Sequence, residues 1–311
     1  MKGSRNLGEG GRKRMANSMA AGKAVTMERK KKEGQFSLVM KRLMKNKLAM
    51  AGLFITLLLF LLALLSPLIM PYGYDELNMI DRFASPSLSH LCGADEMGRD
   101  IFSRLLYGAR WSLALGFLAT IISTIIGMVI GSVVGYFGGT VDTVIMRLID
   151  ILQAIPGILL AIAISACLGS GFVNTIIALS IGGIPMTVRL LRGSIMGVRK
   201  MEYLEAAQTI NCSVPRLIIK HILPNSISPI IVSVTMGIGN TILMAASLSY
   251  IGLGVQPPTP EWGAMLSAGR TYMRDYPHMV LFPGIAIALV VLSLNMLGDG
   301  LRDAMDPKLK K

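Results

Sequence analysis

Residues 48–70 read LAMAGLFITLLLFLLALLSPLIM, an apolar run without a single charged side chain. A helix needs about 20 apolar residues to cross a bilayer, because its backbone N–H and C=O groups must bond to each other where water is absent. The leucine-rich centre at 57–65, LLLFLLALL, also favours insertion strongly. The run therefore predicts a helix that spans a membrane.

Five further stretches are long and apolar enough to span a bilayer, although they contain more glycine, serine and threonine. They are residues 111–136, 144–168, 172–190, 227–253 and 279–297. The composition of the 311 residues agrees, since 52% are hydrophobic and 16% charged, against about 25% charged in soluble domains. The sequence predicts an all-α, polytopic membrane protein with six transmembrane helices.

The distribution of lysine and arginine predicts the orientation of the chain, because short cytoplasmic loops retain positive charge. With the N-terminus inside, 25 of the 31 basic residues lie in cytoplasmic segments and six lie outside. Fourteen of them fall within residues 1–47. We therefore expect both termini, and the loop between spans four and five, to be cytoplasmic.

A domain organisation follows from the spans and their orientation. Basic clusters at 12–14 and 29–32 suit nucleic acid or anionic lipid, but a disordered arm that sets topology is the simpler interpretation, with no nucleic acid as partner. The predicted segments are a basic cytoplasmic leader (1–47), a first transmembrane helix (48–70), an external segment (71–110), a five-helix core (111–300) with a cytoplasmic loop (191–224), and a cytoplasmic tail (301–311).

Several classes of protein are disfavoured because their chemistry needs residues that the spans lack. Arg147 and Asp150 lie at the cytoplasmic edge of the third span, where we expect them to neutralise each other, and no span carries an ionisable residue at its centre. This disfavours an ion-coupled secondary transporter and an acidic-ring channel. The chain also lacks a phosphate-binding loop, a metal motif and a catalytic motif, so we expect no nucleotide, metal or cofactor site in it.

Glycines at four-residue spacing mark one stripe of the second span. Gly127, Gly131 and Gly135 lie above one another on a helix and allow a neighbouring helix to approach closely. We interpret the stripe as a helix-packing surface.

The predicted cytoplasmic loop contains an amphipathic helix over 201–210, MEYLEAAQTI. We expect one apolar face, with the acidic and amide side chains pointing elsewhere. The apolar face comprises Tyr203, Ala206, Ala207 and Ile210, and the polar side comprises Glu202, Glu205 and Gln208.

A sharp turn and a second helix are predicted next. Asn211 suits a left-handed position at the end of the first helix. Ser213 can cap a second helix in which Pro215 occupies an early position, where its missing N–H is harmless. Leu223 and Pro224 then lead into the fifth span.

This loop resembles the E-A-A-x(3)-G-x(9)-I-x-L-P loop of ATP-binding-cassette importer permeases. Glu205-Ala206-Ala207, Asn211 and Leu223-Pro224 match at the right separations. Two positions depart from the pattern, since Asn211 replaces the glycine and His221 replaces the isoleucine. The resemblance implies that the short helix around Glu205 docks in a groove of an ATPase subunit.

Three further stretches look like the dipeptide, oligopeptide and nickel importer permeases, in particular the C-type subunit: residues 95–110, 256–263 and 297–303. The external element among them contains Asp95, Gly98, Arg99, Asp100, Arg104 and Trp262. We expect Asp95 to cap a helix, Asp100 and Arg104 to pair at i,i+4, and Trp262 to anchor at the membrane interface.

The resemblance implies a permease subunit that forms half of the translocation pathway for peptides. Its implied partners are a second permease subunit, two cytoplasmic ATPases that use ATP and magnesium, an external substrate-binding protein and the lipid bilayer of a bacterial or archaeal plasma membrane. A nickel or metal-chelate importer of the same architecture is the alternative. An ion-coupled transporter and a membrane scaffold that transports nothing are less favoured.

Substrate identity does not follow from the sequence. Polar residues within the spans are candidates for the lining of the pathway, although serine and threonine there often bond back to their own helix. The candidates are Asn174, Asn240, Thr241, Ser247 and Asn295.

Overall fold

A computed structural model describes residues 35–209 and 211–306 of the chain. All regular elements in these residues are helices, with one isolated bridge between Ala94 and Asp100. The principal helices are α1 Gln35–Leu43, α2 Lys47–Ile69, α3 Ile101–Phe137, α4 Gly139–Ala154, α5 Gly157–Leu168, α6 Phe172–Val198, α7 Glu202–Thr209, α8 Val214–Leu217, α9 Leu223–Ser226, α10 Ser228–Tyr250, α11 Trp262–Gly269 and α12 His278–Met305.

The end of the predicted disordered leader is helical where the structure describes it. Helix α1 covers residues that favour helices, among them leucine, methionine, lysine and arginine, so the prediction of disorder is wrong for 35–43. The remainder of that prediction, residues 1–34, lies outside the described residues, as does the end of the tail, 307–311. Asn46 caps α2 by accepting bonds from the N–H groups of Leu48 and Ala49 at 3.1 and 3.2 Å.

Within the described ranges, five helices are long and apolar enough to cross a membrane: α2, α3, α6, α10 and α12. Most of them extend beyond the predicted spans. Helix α3 begins at Ile101 rather than at 111, and α12 ends at Met305 rather than at 297. Hydropathy marks only the apolar part of a helix, whereas caps and backbone bonds decide where the helix ends. The external segment therefore ends before Ile101 rather than at 110, and the tail begins after Met305 rather than at 301.

The predicted third span is not one helix but two. Helices α4 and α5 meet at an 86° bend, where Ile155 is extended with φ −88° and ψ 126°. Pro156 causes this break, because a proline disfavours the helical conformation of the residue before it and has no N–H to donate. The prediction of one continuous helix over 144–168 is therefore wrong.

The glycine stripe of α3 packs directly on α6. A Cβ atom added at Gly127 would lie 2.6 Å from the Cβ of Thr187, and one at Gly135 would lie 2.9 Å from the Cβ of Ile195. A Cβ atom at Gly131 would lie 3.0 Å from the carbonyl oxygen of Val188. These contacts confirm the predicted packing surface.

The same contacts show that α3 and α6 run parallel, because residues with higher numbers in α3 contact residues with higher numbers in α6. The intervening pair α4–α5 must therefore return the chain across the thickness that α3 crosses. This geometry favours counting the bent pair as one crossing, which makes six.

Two loop regions lie at opposite ends of the bundle. The cap segment, defined here as residues 70–100, precedes the N-terminus of α3. The α6–α10 loop, residues 199–227, follows the C-terminus of α6 and includes α7, α8 and α9. Because α3 and α6 are parallel, the start of one and the end of the other are separated by the full length of the bundle.

Candidate functional site

The α6–α10 loop contains the predicted turn between two short helices. Asn211 has φ +58°, which confirms the left-handed conformation. The N–H of Cys212 donates to the carbonyl of Ala207 at 3.2 Å and closes the end of α7. Asparagine tolerates positive φ better than any residue with a bulky or β-branched side chain.

The second helix of the loop forms where predicted, but its cap differs. Ser213 directly precedes α8, and its carbonyl accepts a bond from Leu217 N–H at 2.9 Å. Its hydroxyl makes no capping bond, contrary to the prediction. A capping hydroxyl commonly bonds to the second or third N–H of a helix, and Pro215 in the first turn offers none. A π-helical turn, Ile218–Ile222, joins α8 to α9, where Pro224 again occupies the first turn.

Helix α7 buries a different face from the one predicted. Leu204 and Ala207 are 2% and 8% exposed and pack with Leu191, Ile195 and Leu217. The larger apolar surface of Leu204 decides this orientation, since burying it removes more apolar area from water than burying alanine does. Tyr203 and Ala206, which belong to the predicted apolar face, are exposed, and Ile210 and the Gln208 side chain lie outside what the structure describes.

The outer surface of α7 carries two carboxylates beside an aromatic ring. Glu202, Tyr203, Glu205 and Ala206 are all exposed there, and in the described part of the chain neither glutamate forms an ion pair. Both glutamates lie in the first turn, where negative charge interacts favourably with the helix dipole. This surface, which we call the α7 face, is available to hydrogen-bond donors of another chain.

At the other end of the bundle, Asp95 organises the cap segment. It accepts bonds from the N–H groups of Met97 and Arg99 at 2.8 and 3.0 Å, and it pairs with the side chains of Arg99 at 2.7 Å and Arg104 at 3.6 Å. All three charged residues are buried. Gly98 has φ +73°, and an added Cβ atom there would collide with Asn78.

The predicted roles of Asp95 and Asp100 are therefore exchanged. Asp100 caps α3 by accepting the N–H of Ser103 at 2.7 Å, whereas Asp95 holds the preceding turn. The predicted i,i+4 pair of Asp100 with Arg104 does not form, and Arg104 pairs with Asp95 instead. The capping carboxylate is already occupied on its other oxygen by a residue from the cap segment.

That residue is His90, which sequence reasoning missed. Its Nδ1 lies 2.9 Å from Asp100, its Nε2 lies 3.4 Å from Asp81, and its ring stacks on Tyr72. Burial acts to lower the pKa of His90, but the hydrogen bonds to Asp100 and Asp81 outweigh it and raise the pKa above the ordinary value. Only the spacing of histidine and aspartate across ten residues hinted at the pair, and such a spacing is not specific.

Trp262 is buried in the bundle and is not an interfacial anchor. It is 2% exposed, and its indole N–H donates to the carbonyl of Leu105 at 3.1 Å. Buried Glu261, which the sequence analysis did not single out, caps α11 and accepts a bond from Ser112. No helix was predicted at 262–269, so the sequence offered no specific signal for this cap. The prediction of an interfacial anchor failed because the ring finds an apolar cluster and a backbone acceptor within the protein.

Two ion pairs connect α4 to α6. Arg192 binds both oxygens of Asp142 at 2.6 Å, and Arg189 lies 2.7 Å from Asp150. The expected partner of Asp150 was Arg147, which is exposed instead. These pairs join residues far apart in the sequence, so that local spacing could not identify them.

The five candidates for the pathway lining fall into two groups. Three use their side chains within the bundle: Asn174 donates to the carbonyls of Leu168 and Gly169, Thr241 to that of Gly237, and Ser247 to that of Leu243. The remaining two, Asn240 and Asn295, have no hydrogen-bond partner among the described residues. A groove of about 680 Å³ between α10 and α12 is lined by Ser247 and Asn295 among mostly apolar side chains.

Comparison with known proteins shows which family has this architecture. Residues 127–311 match the family described as binding-protein-dependent transport system inner membrane component. Residues 34–86 match the N-terminal transmembrane domain of oligopeptide transport permease C. A methionine ABC transporter in an inward-facing conformation aligns with 65% of this chain and 97% of its own, at a TM-score of 0.53 and 16% identity, and so shares the fold.

Two relatives are similar over nearly the whole sequence. A dipeptide transport system permease protein from Alkalihalophilus pseudofirmus is 48% identical over 270 residues, which cover 87% of this chain and 89% of that protein. A glutathione transport system permease protein from Escherichia coli O157:H7 is 49% identical over 276 residues, with the same coverage. The chain therefore belongs to the family of binding-protein-dependent transport system inner membrane components, among the C-type permeases of ABC importers.

Proposed function

We propose that this chain is one of two permease subunits of an ATP-driven importer and forms half of a pathway for peptides that an external binding protein delivers. The relatives named above are described as dipeptide and glutathione permeases, and glutathione is itself a small peptide. Both descriptions favour peptides over nickel as the substrate of this chain. The bacterial inner membrane is the expected location.

The α7 face is the observation that carries this proposal. A short helix packed tightly on one side, with two carboxylates on the other that form no ion pair with any described residue, suits a rigid element that passes motion from one chain to another. Glu202, Tyr203, Glu205, Ala206 and the Asn211 turn would dock on an ATPase subunit, and Ala207, Pro215, Leu223 and Pro224 would hold the loop in shape. ATP and magnesium would bind in those partners, and this chain would hydrolyse nothing by itself.

Reconstitution tests the division of labour. Liposomes that contain both permeases, both ATPases and the binding protein should import labelled peptide and hydrolyse ATP, whereas this chain alone should show only background hydrolysis. Hydrolysis by the isolated chain that survives removal of contaminating ATPases would contradict the proposal. Uptake of nickel but not of peptide would favour the alternative substrate.

The proposed orientation places both termini and the α6–α10 loop in the cytoplasm and the cap segment outside. Its test is single-cysteine labelling with an impermeant reagent in intact cells, after replacement of Cys92, Cys167 and Cys212. Exposed Met97→Cys should be labelled, and exposed Lys220→Cys in the α6–α10 loop should react only after the membrane is opened. Labelling of both positions from outside would exclude this orientation.

A further inference from the structure

Two asparagines on the transmembrane helices have no hydrogen-bond partner in the described part of the chain. Asn240 in α10 is exposed and Asn295 in α12 is half-buried, and neither forms a hydrogen bond within the residues that the structure describes. An amide that faces lipid without a partner is unfavourable, because no water is present there to replace the missing bond. Both side chains therefore indicate a surface that contacts something polar.

The two asparagines lie at similar depths in the bundle. An added Cβ atom at Gly239 would lie 3.6 Å from Val291 and 3.7 Å from Leu294, and Gly298 contacts Met236. Since α10 and α12 are antiparallel, this register brings Asn240 within about one helical turn of Asn295 along the bundle axis. Asn240 is ten residues before the end of α10 at Tyr250, or about 15 Å along the helix axis.

The groove between α10 and α12 extends from Asn295 toward the end of the bundle that carries the cap segment. Asn240, Leu243, Ser247 and Tyr250 follow one another at three- and four-residue spacing and so share one stripe of α10. The last three line the groove, as does Asn295 from α12. An apolar concave surface with a few convergent polar groups is typical of ligand sites, and about 680 Å³ falls within their usual range.

We propose that Asn240 and Asn295 bind the main chain of a peptide as it passes along this groove. A carboxamide both donates and accepts hydrogen bonds, and a peptide main chain offers one donor and one acceptor per residue. Such bonds do not depend on the peptide's side chains, which the apolar walls of the groove accommodate. This inference rests on the proposed function, because it assumes that peptides are the substrate.

The test compares two substrates that differ in one group. Alanyl-alanine and its ester analogue alanyl-lactate differ in the N–H of the peptide bond, and uptake of each is measured in liposomes that contain the full complex. The double variant Asn240→Leu, Asn295→Leu should reduce the preference for the amide by about threefold to tenfold, the effect of one lost hydrogen bond. Because the binding protein is the same in all samples, its own preference cancels between wild type and variant.

Controls separate this role from others. Thr235→Val in α10 removes a hydroxyl that already bonds to Ile231, so it should leave the preference unchanged. Asn240→Ser keeps a donor and an acceptor and should retain part of the preference. Peptide uptake with an unchanged preference in the double variant overturns this inference alone, whereas wild-type complex that imports no peptide overturns the proposed function and the inference with it. Loss of the second permease from the purified double variant would assign the asparagines to the subunit contact and also overturn the inference.

Discussion

The cap segment and the α7 face contain similar charged residues in opposite situations. In the cap segment Asp95 pairs with Arg99 and with Arg104 from the first turn of α3, and all three residues are buried. On the α7 face Glu202 and Glu205 are exposed and have no ion-pair partner in the described residues. Buried charges need partners to offset their desolvation, whereas exposed charges stay hydrated and contribute little to stability.

This difference teaches which charges maintain the fold and which are free for binding. Removing a charge from the cap segment strands its partner in a buried site, so the cost falls on folding. Removing a charge from the α7 face strands no partner among the residues that the structure describes, so we expect the cost to fall on association with another chain. We therefore expect the same kind of substitution to change stability at one end of the bundle and association with another chain at the other end.

The largest effect is expected at Asp95. Asp95→Ala removes a carboxylate that pairs with two buried arginines and accepts two backbone N–H bonds in the turn, and it should lower the free energy of unfolding by about 3–5 kcal/mol. Thermal unfolding in detergent measures this change, with Glu202→Ala as the matched control expected to stay within about 0.5 kcal/mol. Equal stability of the two variants would remove the distinction between the two regions.

Glu205→Ala should have the opposite profile. We expect normal expression and membrane insertion, but association with the ATPase subunits weakened by about 1–3 kcal/mol, because partner donors lose their acceptor at a buried contact. Co-purification of the ATPases and peptide uptake measure the effect. Asp275→Ala, an exposed carboxylate outside the α6–α10 loop, is the control. Wild-type recruitment and uptake in Glu205→Ala would exclude a docking role for this residue.

The turn at Asn211 should show an intermediate effect. Asn211→Val should cost about 1–2 kcal/mol, because a β-branched residue resists φ +58°, and it should impair ATPase recruitment by displacing α7. Asn211→Gly should be neutral or mildly favourable, since glycine adopts this conformation readily. Recruitment and uptake are compared for both variants. A valine variant that behaves as wild type would show that α7 does not depend on this turn.

The smallest effect concerns pH and the cap segment. The pKa of His90 is raised in the folded protein, so its contribution to stability is complete below the ordinary value of about 6.5 and is lost as pH rises through the raised pKa. Thermal unfolding between about pH 5.5 and 8.5 should show this loss in wild type and a weaker dependence in His90→Gln. His221→Gln, in the α6–α10 loop, should keep the wild-type dependence. An identical pH profile in wild type and His90→Gln would contradict the assignment.

Features that depend on neighbouring residues were predictable. The apolar runs identified the spanning helices, and glycines at four-residue spacing identified the glycine stripe of α3. Asparagine after a short amphipathic helix identified the left-handed turn. Each follows from the periodicity of a helix or the φ preference of one residue. The family resemblance was also carried by local motifs, and the comparisons confirm it.

Features that join distant parts of the chain were not predictable in the same way. Pairing of Asp142 with Arg192, burial of Trp262 and the contact of His90 with Asp100 depend on which helices lie side by side. Local spacing suggested other partners for Asp100 and Asp150, and both suggestions were wrong. A sequence always contains oppositely charged residues a few positions apart, but in the folded bundle residues from distant segments are closer and more buried partners.

The sequence alone determined that this chain is an α-helical membrane protein with a helix–turn–helix loop, because lipid leaves helices as the simplest way to satisfy the backbone and because turns depend on single residues. Only the tertiary structure decided which face of α7 is buried, which charges are neutralised and which two of five polar candidates have no partner among residues 35–209 and 211–306. Those outcomes depend on burial against distant segments, and burial sets both the cost of a charge and the value of a hydrogen bond.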